Sequence, residues 1–279
     1  MQKAAGRLQK ALQEDETIGV WGDFDVDGQT ATSLLVDVLQ ALGARVKYHI
    51  PVRARESHGV NLPGLIQFLE QGVDLVLTCD TGITAYEAAA YARANGVDLL
   101  ITDHHTLGNR LPDAFAIVNP QLLPSSHPSR SLAGVGVAYK VAQALCRLDN
   151  RPEMVEQQLD LVALGCVADV AALTGDVRYL VQRGLAQLQK PHRAGLSALY
   201  ERADLDPTRL TEQHIGFIIA PRLNAVGRLA DANPVVEFLT TDDPVRAAVF
   251  AAQLEGFNSQ RRFMTEPVID ALEVIDVDH

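Results

Sequence analysis

Apolar positions along the first hundred or so residues follow two alternating rhythms. "TIGVWG" (17–22) is a short apolar run closed by a glycine and predicts a strand. "TATSLLVDVLQAL" (30–42) repeats its apolar residues at helical spacing and stops at Gly43. "RVKYHI" alternates like a strand, and "LPGLIQFLEQG" predicts a helix ending at Gly72. "VDLVLTCD" reads as a buried strand, "TAYEAAAYARANG" as a helix and "VDLLITD" as another strand. "AFAIVNP" (114–120) adds one more strand. Strands alternating with helices of about a dozen residues predict an α/β fold with a parallel sheet and helices on both faces.

Beyond the turn-rich segment "NPQLLPSSHPSRS" (119–131) the rhythm becomes helical throughout. "LAGVGVAYKVAQALCRL", "EMVEQQLDLVALGCVADVAAL", "YLVQRGLAQLQ" and the run from Pro244 to Ile275 all carry the helical period. The expected organisation is one domain over 1–253, its α/β part covering 1–131 and its helical part 132–253. A connector helix over 254–279 would follow and lead onward.

Composition narrows the function classes. No segment reaches the roughly 18 apolar residues needed to span a bilayer. The first sixteen residues mix both signs of charge without an apolar stretch, unlike a secretory signal. Cys79, Cys146 and Cys166 are odd in number and far apart, which fits reduced thiols and a cytoplasmic protein. The net charge of −11 argues against a broadly basic nucleic-acid surface. Carboxylates that hold divalent cations do not present their full charge to a partner, so the objection is partial.

In a parallel α/β sheet, ligands bind beyond the carboxyl ends of the strands. The chain concentrates its chemistry there. Asp23, Asp25 and Asp27 follow the first strand, Asp80 ends the third, and Asp103, His104 and His105 end the fourth. Carboxylate and imidazole ligands without cysteine suit Mn²⁺, Mg²⁺ or Zn²⁺, with Mn²⁺ favoured by the mixed ligand set. So many acids point to two cations, about 3.5–4 Å apart and bridged by a carboxylate, activating water for phosphoryl chemistry. D-x-D-x-D-G also fits an EF-hand, but the position needing Glu is Leu34 and a strand precedes the loop. D-x-D-G-x-T brushes the aspartyl-phosphate hydrolases as well. Asp80 taken alone reads first as a helix cap, and the two histidines alone as ordinary loop residues.

"GDFDVDGQTA", "CDTGI", "TDHH" and "GCVADVAAL", in that order, resemble the DHH phosphoesterases. "SLAGVGVAYKVAQAL" and "IIAPRLNAVGRL" are similar to the RecJ-like branch of single-strand-specific exonucleases. The resemblance implies a metal-dependent phosphodiesterase that removes nucleotides from the 5′ end of single-stranded DNA, in repair or recombination. It implies Asp25, Asp27, Asp80, His104 and Asp169 as ligands of two divalent ions, Mn²⁺ before Mg²⁺, with Asp80 as the bridge. Asp23 and Asp103 become supporting carboxylates. His105 is then a catalytic group facing the phosphate, protonated so as to stabilise charge or to protonate the leaving oxygen. Gly134 and Gly136, before a helix, offer backbone N–H groups to a phosphate; tight helix packing is the plain alternative. Arg222, Asn224 and Arg228, in a segment without period, offer phosphate contacts; a salt bridge to a surplus acid is the alternative. Such proteins continue into a second, DHHA1-type domain, towards which the final run from about Leu254 would lead. Two other readings stay open: a DHH phosphoesterase for small substrates (nanoRNA, a nucleotide bisphosphate or a cyclic dinucleotide), and a catalytically silent binding subunit.

Overall fold

The computed structural model describes the backbone of residues 1–56 and 58–275, and among these the side chains up to residue 264. The last four residues of the expected connector lie outside the described residues. Helix α1 (Gln2–Gln13) precedes β1 (Thr17–Trp21), α2 (Val26–Ala41) and β2 (Arg45–His49). The one-turn α3 (Arg53–Glu56), α4 (Leu62–Glu70), β3 (Leu75–Cys79), α5 (Tyr86–Ala94), β4 (Asp98–Thr102) and β5 (Ala116–Val118) complete the first half. The second half holds α6 (Gly134–Leu148), α7 (Leu159–Ala168), α8 (Gly175–Leu188) and α9 (Ala194–Arg202). A short α10 (Glu212–His214) runs through a π-helical turn (Ile215–Ile219) into α11 (Ala220–Leu229), and α12 (Asn233–Thr240) and α13 (Pro244–Ile275) follow.

The five strands form one parallel sheet in the order β2-β1-β3-β4-β5. Successive strand residues point to opposite faces, so each apolar run is divided between two cores. Ile18, Val20, Leu75, Leu77, Cys79 and Leu100 face one side, where α1, α2, α6 and α7 pack. Trp21, Val76, Leu99 and Ile101 face the other, against Leu65 and Phe68 of α4 and the alanines of α5. The first core runs on without interruption into α8, α9, α11, α12 and α13, so the α/β and helical parts share it.

The chain leaves β1 for β2 on one side and returns to β3 on the other. The carboxyl ends of β1 and β3 therefore flank the topological switch point, where a crevice opens in this kind of sheet.

Three elements differ from the sequence expectation. Helix α1 was not foreseen, because its buried stripe is mostly alanine (Ala4, Ala5, Leu8, Ala11). Helix α7 stops at Ala168 instead of continuing through Leu173. The segment around Arg222 and Arg228 is helix α11, whose period is concealed by small buried residues such as Ala225 and Gly227. Helix α13 covers the run from Pro244 to Ile275 that carries the helical period.

One buried guanidinium ties the helical half together. Arg193 donates to Asp160 (2.8 Å), Asp37 (3.1 Å), the Gln158 side chain (2.7 Å) and the Leu239 carbonyl (2.9 Å). Those partners belong to α7, α2, the turn before α7, and α12. Removing one member of a buried ionic network leaves its partners unpaired, at a cost of about 3–5 kcal/mol. Arg193→Ala is expected to lower the urea unfolding midpoint by that much stability. Arg193→Lys should recover only part of it, since one ammonium cannot reproduce the planar fork.

Candidate metal centre

The loop after β1 is built by close approach. Asp25 starts α2 as its N-cap, its Oδ1 accepting from Gly28 N at 3.0 Å. Any Cβ on Gly28 would overlap the Asp23 backbone. From the other side α11 clamps the same loop. Val26 N donates to Asn224 Oδ1 (3.1 Å), and Gln29 Nε2 bridges the carbonyls of Phe24 (2.6 Å) and Leu223 (3.2 Å). A Cβ on Gly227 would collide with the Phe24 carbonyl oxygen.

Asp27 points inward and is buried. Its carboxylate accepts from Gly134 N (2.6 Å) and Val135 N (2.8 Å), the first amides of α6. A helix N-terminus is a natural seat for an anion. Asp80, just past β3, is buried with a left-handed backbone (φ +61°), a conformation costing about 1–2 kcal/mol for a residue with a Cβ. Its Oδ1 stands 3.1 Å from His104 Nε2 yet accepts no hydrogen bond. His104 also lies 3.6 Å from Asp27 Oδ2 through Nε2 and 3.9 Å from Asp169 Oδ2 through Nδ1.

Asp103 is the pivot of the histidine turn. Its carboxylate accepts from the backbone amides of Ile83 (2.8 Å), His104 (2.7 Å) and His105 (3.0 Å), and from His105 Nδ1 at 2.7 Å. Asn119, at the end of β5, donates to the His105 carbonyl at 3.0 Å and holds the turn from outside.

These groups form two sets with ligand atoms within 4.8 Å of one another: Asp80, His104 and His105, and Asp27, His104 and Asp169. Both oxygen and nitrogen donors are present, and one buried carboxylate oxygen is unused. That donor set fits hard divalent cations. Asp25 and Asp23, expected as a ligand and a supporting group, lie outside both sets. Asp25 is engaged as the cap, and Asp23 Oδ1 accepts from Phe24 N at 2.9 Å.

Electrostatics show how unfavourable the cluster is by itself. Burial, reinforced by Asp169 and Asp25, pushes Asp27 well above the carboxylate range. Burial, then Asp27 and Asp25, does the same to Asp80. Burial and then Asp25 raise both Asp23 and Asp169 to about 6. Burial, then His105, depresses His104 to about 4, while the hydrogen bond to Asp103 lifts His105 to about 9. Burial works to raise Asp103, but the bonds from His105 and Ile83 hold it below the usual value.

The fold agrees with comparisons to known proteins. The DHH family, N-terminal domain, matches residues 17–166. The chain belongs to the DHH family. Single-stranded-DNA-specific exonuclease RecJ of Bacillus subtilis is 39% identical over 277 residues, 99% of this DHH chain and 35% of that protein. A crystal structure of exonuclease RecJ bound to manganese matches with a TM-score of 0.90 at 36% identity, covering 97% of this chain and 68% of that one. RecJ of Thermus thermophilus in complex with Mn²⁺ matches with a TM-score of 0.86 at 35% identity, covering 97% and 39%. The DHH chain spans about a third to a half of the curated relatives' length, 35% of the Bacillus subtilis protein and 50% of the Escherichia coli one.

The structure gives several of the residues read as phosphate contacts partners within the protein. The amide of Gly134 is taken by Asp27, and a Cβ there would overlap Asp80, so the glycine makes room for a carboxylate. Gly136 packs inside α6 against Leu132. Arg222 is buried and pairs with Glu255 at 2.6 Å, the salt-bridge alternative. Asn224 is spent on the aspartate loop. Arg228 is exposed at the last turn of α11. Asn119 escaped the sequence reading; its signal was an Asn-Pro pair at the carboxyl end of a further strand.

A cation that binds only the folded site raises stability by about 2.7 kcal/mol at a hundredfold excess over Kd. For a chain of this size that is a Tm rise of roughly 5–10 °C. Mn²⁺ should produce such a rise over EDTA. Asp80→Asn, which relieves repulsion without breaking a hydrogen bond to Oδ1, should match or exceed the native Tm in EDTA and lose the rise. A lowered EDTA Tm with an intact Mn²⁺ response would sink this assignment. In EDTA the folded state keeps protons on Asp27, Asp80 and His105 that the unfolded chain releases. Stability should therefore fall as pH rises from about 6.5 to 8, and Asp80→Asn should flatten that slope.

Proposed function

We propose that this chain is the catalytic core of a metal-dependent phosphodiesterase that releases nucleotides from the 5′ end of single-stranded DNA. The observation that carries the reading is the convergence of Asp27, Asp80, His104, His105 and Asp169 at the sheet's switch point, with a buried Asp80 oxygen left unbonded. Its likeness to the RecJ exonucleases over nearly the whole chain supports the substrate class. The 5′ polarity comes from the sequence resemblance.

Asp27, Asp80, His104 and Asp169 are the groups that would hold two divalent cations, Mn²⁺ by preference, with His104 common to both sets and Asp80 the proposed bridge. Bound there, the cations supply Lewis acidity for the phosphoryl oxygens and acidify a water. The chain's own contribution is positional and electrostatic. The α6 amides hold Asp27 in one orientation, so its oxygens need no reorganisation when charge develops nearby. Asp103 fixes the proton on His105 Nδ1 and favours the imidazolium. The other ring nitrogen can then donate to a phosphoryl oxygen or to the departing sugar oxygen. Asp23 and Asp25 deepen the negative potential that attracts the cations. The three buried, unpaired cysteines fit a reducing, cytoplasmic setting. Among the described residues no helix is long and apolar enough to cross a membrane.

Incubation of 5′-labelled single-stranded DNA with Mn²⁺ should release labelled mononucleotide, and Asp80→Ala should abolish it. His105→Ala should cut kcat by about 10²–10⁴-fold while keeping most of the Mn²⁺-induced Tm rise. Loss of that rise would make His105 a metal ligand instead. Hydrolysis confined to dinucleotides would favour the small-substrate reading, and no metal-dependent hydrolysis at all would favour the silent one.

A further inference from the structure

We propose that the groove between the end of α7 and the π-helical turn before α11 seats a nucleobase of the bound strand, with Phe217 as its stacking face. The inference rests on the single-stranded DNA reading above and states where a base would go.

Three large apolar side chains face solvent around this one groove of about 420 Å³: Val170, 88% exposed, Phe217, 81%, and Leu173, 40%. Isolated exposed apolar residues are ordinary, whereas several gathered on one concavity mark a binding surface. The backbone holds them there by two local irregularities. Helix α7 ends in a Schellman motif, with Ala171 N donating to the Cys166 carbonyl (3.0 Å) and Val170 N to that of Val167 (3.1 Å). The left-handed residue of that motif is normally glycine. Here it is Val170 at φ +56°, a β-branched residue in a region it rarely occupies. On the facing wall Phe217 sits in the π-helical turn Ile215–Ile219, an irregularity frequent at functional sites. Between them Gly216 keeps the floor open. A Cβ there would meet only Val167, at 3.9 Å, so packing does not require a glycine.

The groove adjoins the metal centre. Ala168 and Val170, on its wall, flank Asp169 in sequence, and Asp169 lies 3.9 Å from His104. Asn224, on the opposite wall, holds the aspartate loop. None of the residues lining the groove is a lysine or arginine, and Glu212 on its rim would repel a phosphate. What remains is a flat aromatic face, a floor of small residues, and the amides of Gln213 and Asn224 at the edge. That combination suits a planar ring with polar edges. Base stacking on an aromatic residue tolerates every base, as a non-specific exonuclease requires. A groove of this volume lies within the roughly 300–1,000 Å³ of small-ligand sites, the scale of one or two rings.

Steady-state digestion should be measured on oligothymidylate and on the same oligomer with abasic residues at its 5′ end. Phe217→Ala is expected to raise KM about 5–100-fold on the first, changing kcat little, and to leave the second unaffected. Phe217→Trp should keep the native KM. Phe217 is largely exposed, so an unchanged Tm is expected for both variants. An unaltered KM for Phe217→Ala, or an equal penalty on both oligomers, overturns the proposal. Should the native chain digest no single-stranded DNA, the exonuclease reading fails separately. The oligomer then survives in Mn²⁺, and tryptophan fluorescence of Phe217→Trp, above the constant background of buried Trp21, decides the base seat. Quenching by oligothymidylate but not by a wholly abasic oligomer supports it; no quenching, or equal quenching by both, overturns it.

Discussion

Two backbone amides at the start of α6 grip the carboxylate of Asp27, and the site is assembled around that contact. It joins the first turn of α2 to a helix that begins more than a hundred residues later. Without it, Asp27 would be a buried anion facing Asp80 with nothing to offset the repulsion. The α6 N-terminus supplies partial positive charge where the sheet concentrates negative charge. Gly134 is required because the helix must come close enough to donate, and a side chain there would displace Asp80. One glycine thus sets the spacing between two of the carboxylates expected to share cations.

The helical half acts as a brace. Helix α11 fixes the aspartate loop through Asn224, the Leu223 carbonyl and the close approach of Gly227. Arg222 then ties α11 to α13 through Glu255, and Arg193 ties α7, α2 and α12. The cluster is costly by itself, since burial and mutual repulsion raise Asp27 and Asp80 strongly. A rigid surround prevents the carboxylates from swinging out to water. Preorganised ligands of this kind lose little when a cation binds, so the mutual repulsion of the carboxylates favours cation binding.

The strands and the edge that carries the chemistry were legible because a parallel sheet writes each strand as a short apolar run, and D-x-D-x-D-G, Asp80 and Asp103-His104-His105 follow three of those runs directly. Asp169 was not legible from pattern: it caps a helix buried all round, and only tertiary packing carries it to His104. Arg222 and Gly134 were misleading for a shared reason. An arginine or a glycine near a phosphate site looks the same in sequence whether it meets the substrate or a protein carboxylate. The division among Asp23, Asp25 and Asp27 also needed coordinates. The resemblance set Asp23 apart from the other two, and only the structure separates Asp25 from Asp27: α2 begins between them and turns Asp25 into its cap while sending Asp27 inward.

The net charge of −11 does not describe what a nucleic acid would meet at this site. Asp27, Asp80 and Asp103 are buried, and cations held by the cluster would offset much of its charge. Positive charge, by contrast, gathers locally on α11 and α13. Burial, and then Arg262, Arg228 and Arg222, oppose protonation of Arg261, which places four guanidinium groups within electrostatic reach of one another. Arg222 is balanced by Glu255, but the gathering of guanidinium groups on the helices that brace the aspartate loop still departs from the acidity of the chain as a whole. Steering of a polyanion depends on the local field, and a screening length of about 10 Å in 0.1 M salt makes remote surface carboxylates count for little. The acidity of the whole chain and a single-stranded DNA substrate are therefore compatible, provided the strand approaches along α11.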